Sequence, residues 1–366
     1  MRRHWKVVFA FASLAMCVAT RSARAAPMDP TPDRFYLNPP GGGNCQSYSG
    51  AGYQACMPNN VSWSNMMSEL GYAIAPSAFH PARTTGLGGF ALSLEASYAH
   101  INADATDSTG TQYWHQGTQG DVNPNTNAFS SVNKYPDSIL QIYSLKARKG
   151  LPFGLEIAGV LGYIANTSLW VGGADLHWAV LEGFRTGILG YLPDIAIGGG
   201  VRTVGGASTF YLTTVGIDGQ ISKPITLADS AVLTPYIGVQ RLIIFADSTV
   251  VNLAPTIDPL KVCGYEGTNV PGNPNVPSGG VGGAYTGQPV CKNGGNTAGA
   301  FDNLTTLEKD TIHRWRGIAG LAYKYEILYL GGQFAMDLED PSSENANLGV
   351  SGSKQWTMSF EAGVFF

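Results

Sequence analysis

From about residue 86 to residue 366 the chain keeps returning to one pattern, in which apolar and polar side chains alternate with a period of two. Phe90, Leu92, Leu94, Ala96 and Tyr98 share one face, and Ala91, Ser93, Glu95, Ser97 and Ala99 share the other. Phe153, Leu155, Ile157, Gly159, Leu161 and Tyr163 stand against Gly154, Glu156, Ala158 and Val160, and Tyr211, Thr213, Val215 and Ile217 against Thr214, Gly216, Asp218 and Gln220. Trp315, Leu321, Tyr323 and Tyr325 oppose Arg314, Arg316 and Lys324. Weaker repeats cover 139–148, 169–182, 195–204, 232–245 and 327–338. Successive strand residues point to opposite faces, so each segment predicts a strand with one apolar side that must be removed from water.

The connections alternate too. Short turns fall at 149–152, 222–225 and 325–326, and long polar excursions at 103–136, 247–308 and 340–352. Short turns at one end and long loops at the other are the plan of a transmembrane barrel. Only 13% of the residues are charged, against 44% hydrophobic and a mean hydropathy of zero. A wall apolar outside and polar inside has that average, and beyond the leader no apolar run approaches the ~18 residues of a membrane helix. A secreted β-sandwich would also alternate, but its outward face is polar. Here Trp170, Trp178, Tyr211, Trp315, Tyr323, Tyr325 and Trp356 stand near strand ends, as an aromatic girdle requires. The expectation is an all-β, closed antiparallel transmembrane barrel of about ten strands, with eight or twelve as alternatives, the count being least secure around 184–192. The net charge of −4 without a basic block gives no footprint for nucleic acid.

Residues 1–25 read as a signal peptide: Arg2, Arg3 and Lys6, then the apolar run from Val7 to Ala19, then Ala23-Arg24-Ala25. Cys17 follows Leu14-Ala15-Met16, where Met disfavours lipidation, so simple cleavage is expected. Residues 26–85, rich in Pro, Gly, Asn and Ser, are expected to be irregular, a periplasmic tether or a plug-like segment, with either a short helix or a loop near 63–74. Residues 86–366 are the barrel.

The last twelve residues, from Gln355 to Phe366, put Trp356, Met358, Phe360, Val364 and Phe366 on one face and stop on Phe. In this the chain resembles bacterial outer-membrane β-barrel proteins, whose final strand ends in an aromatic residue that the assembly machinery recognises. The resemblance implies the outer membrane as location, its lipid and the barrel-assembly machinery as partners, and Trp356, Phe360, Val364 and Phe366 as the assembly signal. It implies no activity.

Cys45, Cys56, Cys263 and Cys291 remain after cleavage, an even number in an exported chain. Three pairings are possible. With 26–85 beneath the barrel and 263 and 291 in one outer loop, the membrane separates the two sets, and Cys45–Cys56 and Cys263–Cys291 are expected.

By strand parity the lumen receives Glu95, Lys146, Arg148, Glu156, Asp175, His177, Arg202, Asp218, Arg314, Arg316, Lys324, Asp337 and Glu361. Charges of both signs in a narrow barrel are expected to pair. Asp175, His177 and Glu156 are the one grouping that invites a catalytic reading, and pairing is the commoner fate of such groups. No nucleophile elbow, metalloprotease or Walker pattern occurs. The glycines at 198–200 and 279–283 open no helix for a phosphate, and the aspartates Asp247, Asp258, Asp302 and Asp310 lack Ca²⁺-loop spacing. No cofactor, metal site or catalytic residue is expected. The first functional expectation is a pore or transport barrel for small solutes or apolar molecules. The alternative is a structural or surface-interaction barrel with a closed lumen, and an outer-membrane lipase or deacylase stands last. About ten strands enclose little more than side chains can fill, which argues against a general porin.

Overall fold

The computed structural model describes residues 26, 28–41, 43–46, 54–77, 81–111, 113–114, 137–183, 192–228, 231–254, 263–265, 289–291 and 303–366. The leader, most of 184–192 and the glycines at 279–283 lie outside the described residues.

Ten long strands form the wall: β1 (Phe90–His100), β2 (Ile139–Gly150), β3 (Leu155–Ile164), β4 (Trp170–Leu181) and β5 (Asp194–Gly205), then β6 (Phe210–Ser222), β7 (Ala231–Ser248), β8 (Asp310–Tyr325), β9 (Leu328–Asp337) and β10 (Trp356–Phe365). Each pairs antiparallel with the next, and β10 closes on β1 from Thr357↔Ala99 to Phe365↔Ala91. Phe366 and Phe90 exchange backbone hydrogen bonds of 2.7 and 3.1 Å, which carries the closure to the final residue. The ladder therefore has no open edge, the condition for strands to lie in hydrocarbon. No strand intervenes between β4 and β5, which pair directly, and the count around 184–192 stands at ten. A short strand, Ile225–Ala228, extends the β6–β7 hairpin without joining the ring.

The outward face is apolar. Leu94, Leu161, Leu176, Ile217, Ile237 and Leu330 are each more than half exposed, whereas Ser93, Glu95, Lys146, Arg148 and Glu361 on the opposite face are buried. Tyr98, Tyr143, Tyr163, Trp170, Trp315 and Trp356 stand outward toward the end bearing the long connections, here the outer end. Phe90, Trp178, Tyr323, Tyr325 and Phe366 stand toward the inner end, and the two rings bracket the apolar belt as in a bilayer. Phe153, which alternation places in a strand, instead occupies a turn between Pro152 and Gly154, at φ 63° and 91% exposed.

The helix α1 (Asn60–Ala73) follows a two-residue bridge of Tyr36–Leu37 with Met57–Pro58. The Asn59 side chain accepts from the Ser62 N–H and caps it. From Ser62 to Ala73 every residue of α1 is buried, and the helix touches β1, β6, β7 and β8. A helix covered all round by strands from across the wall lies within the barrel.

Candidate functional site

The N-terminal segment enters the lumen from the outer end. The Met28 N–H donates to Asn166 O, in the turn joining β3 and β4, at 2.8 Å. The Cys56 N–H donates to Asn303 Oδ1 at 2.8 Å, and the Gln46 amide to Leu253 O. All three acceptors lie on outer connections. After α1 the chain descends, and at the inner end the Ala82 N–H donates to Ser222 Oγ at 3.0 Å, Arg83 Nε to Asp194 Oδ2 at 2.8 Å, and the Thr85 N–H to Glu156 Oε2 at 2.7 Å. Of the two placements expected for 26–85, these contacts fit the plug-like segment and not the periplasmic tether: the described residues of 26–59 cap the outer mouth, 60–77 fill the bore, and 81–85 leave at the inner mouth.

The outer half of the bore is a dry core. Trp63, Met66, Met67 and Leu70 of α1 pack with the inward residues Leu140, Ile142, Ile164, Val171, Leu212, Ile244 and Ile312. Contact is close enough that a Cβ on Gly71 would fall 2.4 Å from Ile244 Cγ2, so glycine is required there. The polar residues of α1 are satisfied by the wall or its connections. Ser64 Oγ donates to Asp310 Oδ2 at 2.5 Å, Thr214 Oγ1 donates to Gly71 O at 2.9 Å, and Glu69 accepts from the side chains of Asn102 at 2.7 Å and Trp114 at 2.6 Å.

Below this core lie the charges. Arg314 pairs with Asp337, both about 1% exposed, donates to Ser68 O at 3.1 Å and to Gln355 Oε1, and stacks over the Tyr72 ring at 4.3 Å. Arg316 donates to Gln240 Oε1 at 2.6 Å and to Pro76 O, which also accepts from Gln240 Nε2 at 3.2 Å. Asp218 accepts from Gln220 and Gln240. Arg202 grips Asp175 with two bonds of 2.6 and 2.8 Å, while Lys146 Nζ stands 4.0 Å from both Asp175 and Glu95. Glu95 also accepts from Ser77 Oγ at 3.0 Å, and Arg148 pairs with Glu361 at 3.0 Å. The wall thus takes hold of the N-terminal segment largely by its main chain.

Asp175, His177 and Glu156 lie near one another, and each has a partner outside the trio. Asp175 is held by Arg202, His177 Nε2 donates to Ala82 O at 3.3 Å, and Glu156 accepts from the Thr85 N–H. Lys324 departs from the lumenal expectation. It has inward parity, but its side chain is exposed at the inner mouth, with Nζ 4.8 Å from the Phe365 ring centroid. Gln240, Thr214 and Gln355 belong to the same network, and as neutral residues they carry no charge for the sequence pattern to single out. Arg83 and Asp194, outside any alternating run, carry no such signal. On the outer rim, Glu344 reaches the outward-facing Arg241 at 2.5 Å, and that hydrogen bond holds its carboxyl below the usual range.

Cys45 and Cys56 are disulfide-bonded across eleven residues. Cys263 and Cys291 are register partners in a two-stranded ladder. The first pairing is as expected although its reason was not, since the cap and the loop share one face of the membrane. Replacing Cys45 and Cys56 together by Ser is expected to cost the cap about 2–4 kcal/mol. Faster protease cleavage within 26–59, with the barrel's heat-modifiable migration unchanged, is the reading to look for; equal cleavage rates would count against it.

No protein-family model matches the chain, and no curated protein matches it. Among solved structures it is similar to Ail, the attachment invasion locus protein of Yersinia pestis, in complex with the heparin analogue sucrose octasulfate, at 10% identity and a TM-score of 0.26. A second Ail structure gives 10% identity and a TM-score of 0.23. Each comparison covers 76% of this chain and 99% of Ail. The closed ladder, the outward apolar belt and the two aromatic rings stand on this chain's own residues: it is a closed antiparallel transmembrane β-barrel.

Proposed function

We propose that this protein is a surface-interaction barrel whose lumen is sealed by its own N-terminal segment and whose working part is the outer end. The observation that carries the reading is α1, buried on every side within the bore and bonded to the wall by Ser64, Ser68, Gly71 and Tyr72. A conduit for solutes needs a continuous free path, and the apolar packing around Trp63 and Leu70 occupies it. The described residues of the cap and of the connections between β1 and β2, β7 and β8, and β9 and β10 then form the face offered to the surroundings. The partners held by Asp175, His177 and Glu156 support a non-catalytic interior. The pore reading requires α1 to leave the bore, which means breaking the buried Arg314 contacts.

A tag joined at Ala26 tests the placement. Labelling on intact cells is the expected result, because the Met28 N–H is tied to the outer turn at Asn166. A tag silent until the outer membrane is permeabilised would return residues 26–59 to the periplasm and remove the cap from the working face.

A further inference from the structure

The N-terminal segment is held at both ends of the barrel. Met28 is tied to the outer connection that carries Asn166, whereas the main chain at Ala82 and Thr85 is tied to Ser222 and Glu156 at the inner end, where β1 starts. Between these points the chain crosses the membrane inside a ladder that closes on itself from Thr357↔Ala99 to Phe365↔Ala91. With residues 1–25 read as a leader, the chain meets this membrane from the inner side, so residues 26–59 have to traverse it to reach the outer mouth. Hydrocarbon is closed to them. The stretch carries Asp29, Asp33, Arg34, Asn38, Asn44 and Gln46, and a lone backbone has no neighbouring strand there to satisfy its N–H and C=O groups.

The bore is the route that remains, and its wall is equipped for a polypeptide. Arg314 donates to Ser68 O at 3.1 Å, Thr214 Oγ1 to Gly71 O at 2.9 Å, Gln240 Nε2 to Pro76 O at 3.2 Å and Gln355 Nε2 to Glu69 O at 3.4 Å. Nearer the inner mouth, Ser222 and Glu156 accept from the Ala82 and Thr85 N–H groups. Every residue but proline offers the same N–H and C=O, so these partners fit a passing chain whatever its side chains. The bore is also narrow. In its inner half Tyr236, Ile318, Ala322, Tyr329 and Phe365 pack together on the β7–β10 side, and residues 81–85 run along β3 to β6 as a single chain without helix or strand. At the outer end the arrival is secured. Asn65 Oδ1 accepts from the Ser351 and Gly352 N–H groups at 2.9 and 3.2 Å, and Glu69 from the Asn102 N–H at 3.1 Å.

Given the outer placement of residues 26–59 proposed above, on which this rests, we propose that the barrel exports its own N-terminus. Residues 26–59, and unfolded polypeptide joined ahead of them, pass to the outer face through the bore, which a folded domain cannot enter. Three full-length chains with additions between residue 25 and Ala26 test it. One carries a short epitope alone, one the epitope followed by a small domain that folds only with its disulfides, and one the same domain with its cysteines replaced by serine. Antibody labelling is compared on intact and permeabilised cells, and heat-modifiable migration identifies folded barrels. The epitope alone and the cysteine-free fusion should be labelled on intact cells, whereas the disulfide-bonded fusion should be labelled only after permeabilisation. Equal surface labelling of the two fusions would overturn the proposal, because a folded domain would have crossed by some route other than the bore. Silence of both fusions beside a labelled epitope would also overturn it, since the bore would then carry the native segment and nothing joined to it. Silence of the epitope alone would instead remove the outer cap on which the export rests.

Discussion

Replacing Arg314 by Ala is expected to lower the unfolding free energy by about 3–5 kcal/mol, because removing one member of a buried pair leaves the other charge uncompensated. Asp337 is about 1% exposed and would keep only the Gln355 N–H at 2.8 Å as a strong donor. Ser68 O and Gln355 Oε1 would lose a donor at the same time, and the Tyr72 ring its cation. The damage therefore falls on the wall and on α1 together. Equilibrium urea unfolding of the lipid-reconstituted barrel measures it. The double variant Arg314→Met with Asp337→Leu should recover much of the loss, since it leaves no unpaired charge. A loss below about 1 kcal/mol in Arg314→Ala would mean that Arg314 is hydrated, and that α1 is not seated as described.

Trp63→Ala should be nearly as costly, about 3–5 kcal/mol, but should act on one part of the molecule. Trp63 is fully buried, meets Phe210 edge to face at a centroid distance of 6.3 Å, and donates to Glu308 O at 2.9 Å. It contributes nothing to the strand ladder. Its loss should leave the far-UV strand signal intact while residues 54–77 become open to protease added to intact cells. If cleavage does not increase, α1 is held by something other than this core.

The wall was legible because its physics is local. Period two survives in Phe90 to Ala99 whatever the rest of the chain does, and parity alone carries Glu95, Arg148, Arg202 and Glu361 to the buried face. The N-terminal segment was legible only in part: a short helix and a plug-like placement stood among the readings of 26–85, but the sequence did not choose them over a loop and a periplasmic tether, for a reason its own residues display. A helix packed on one side shows an apolar stripe. In α1, Ser62, Ser64, Asn65 and Ser68 are buried beside Trp63, Met66 and Met67, because partners come from every direction around the bore. No stripe appears, and the Pro- and Gly-rich sequence before the helix reads as a tether. Phe153 misled for the opposite reason: its alternation is real, but Pro152 and Gly154 on either side turn the chain before β3 begins. Lys324 keeps its parity and escapes burial because β8 reaches the inner mouth there.

The central claim is that the N-terminal segment closes the lumen, and planar-bilayer conductance tests it most directly. The intact protein should insert without a steady ion current. A barrel lacking residues 26–77, refolded and inserted in the same way, should conduct, since the bore then holds Arg316 and the paired charges of Lys146, Arg202, Asp175 and Glu95 with no helix across it. A steady open current through the intact protein, equal to that of the shortened one, would contradict the account.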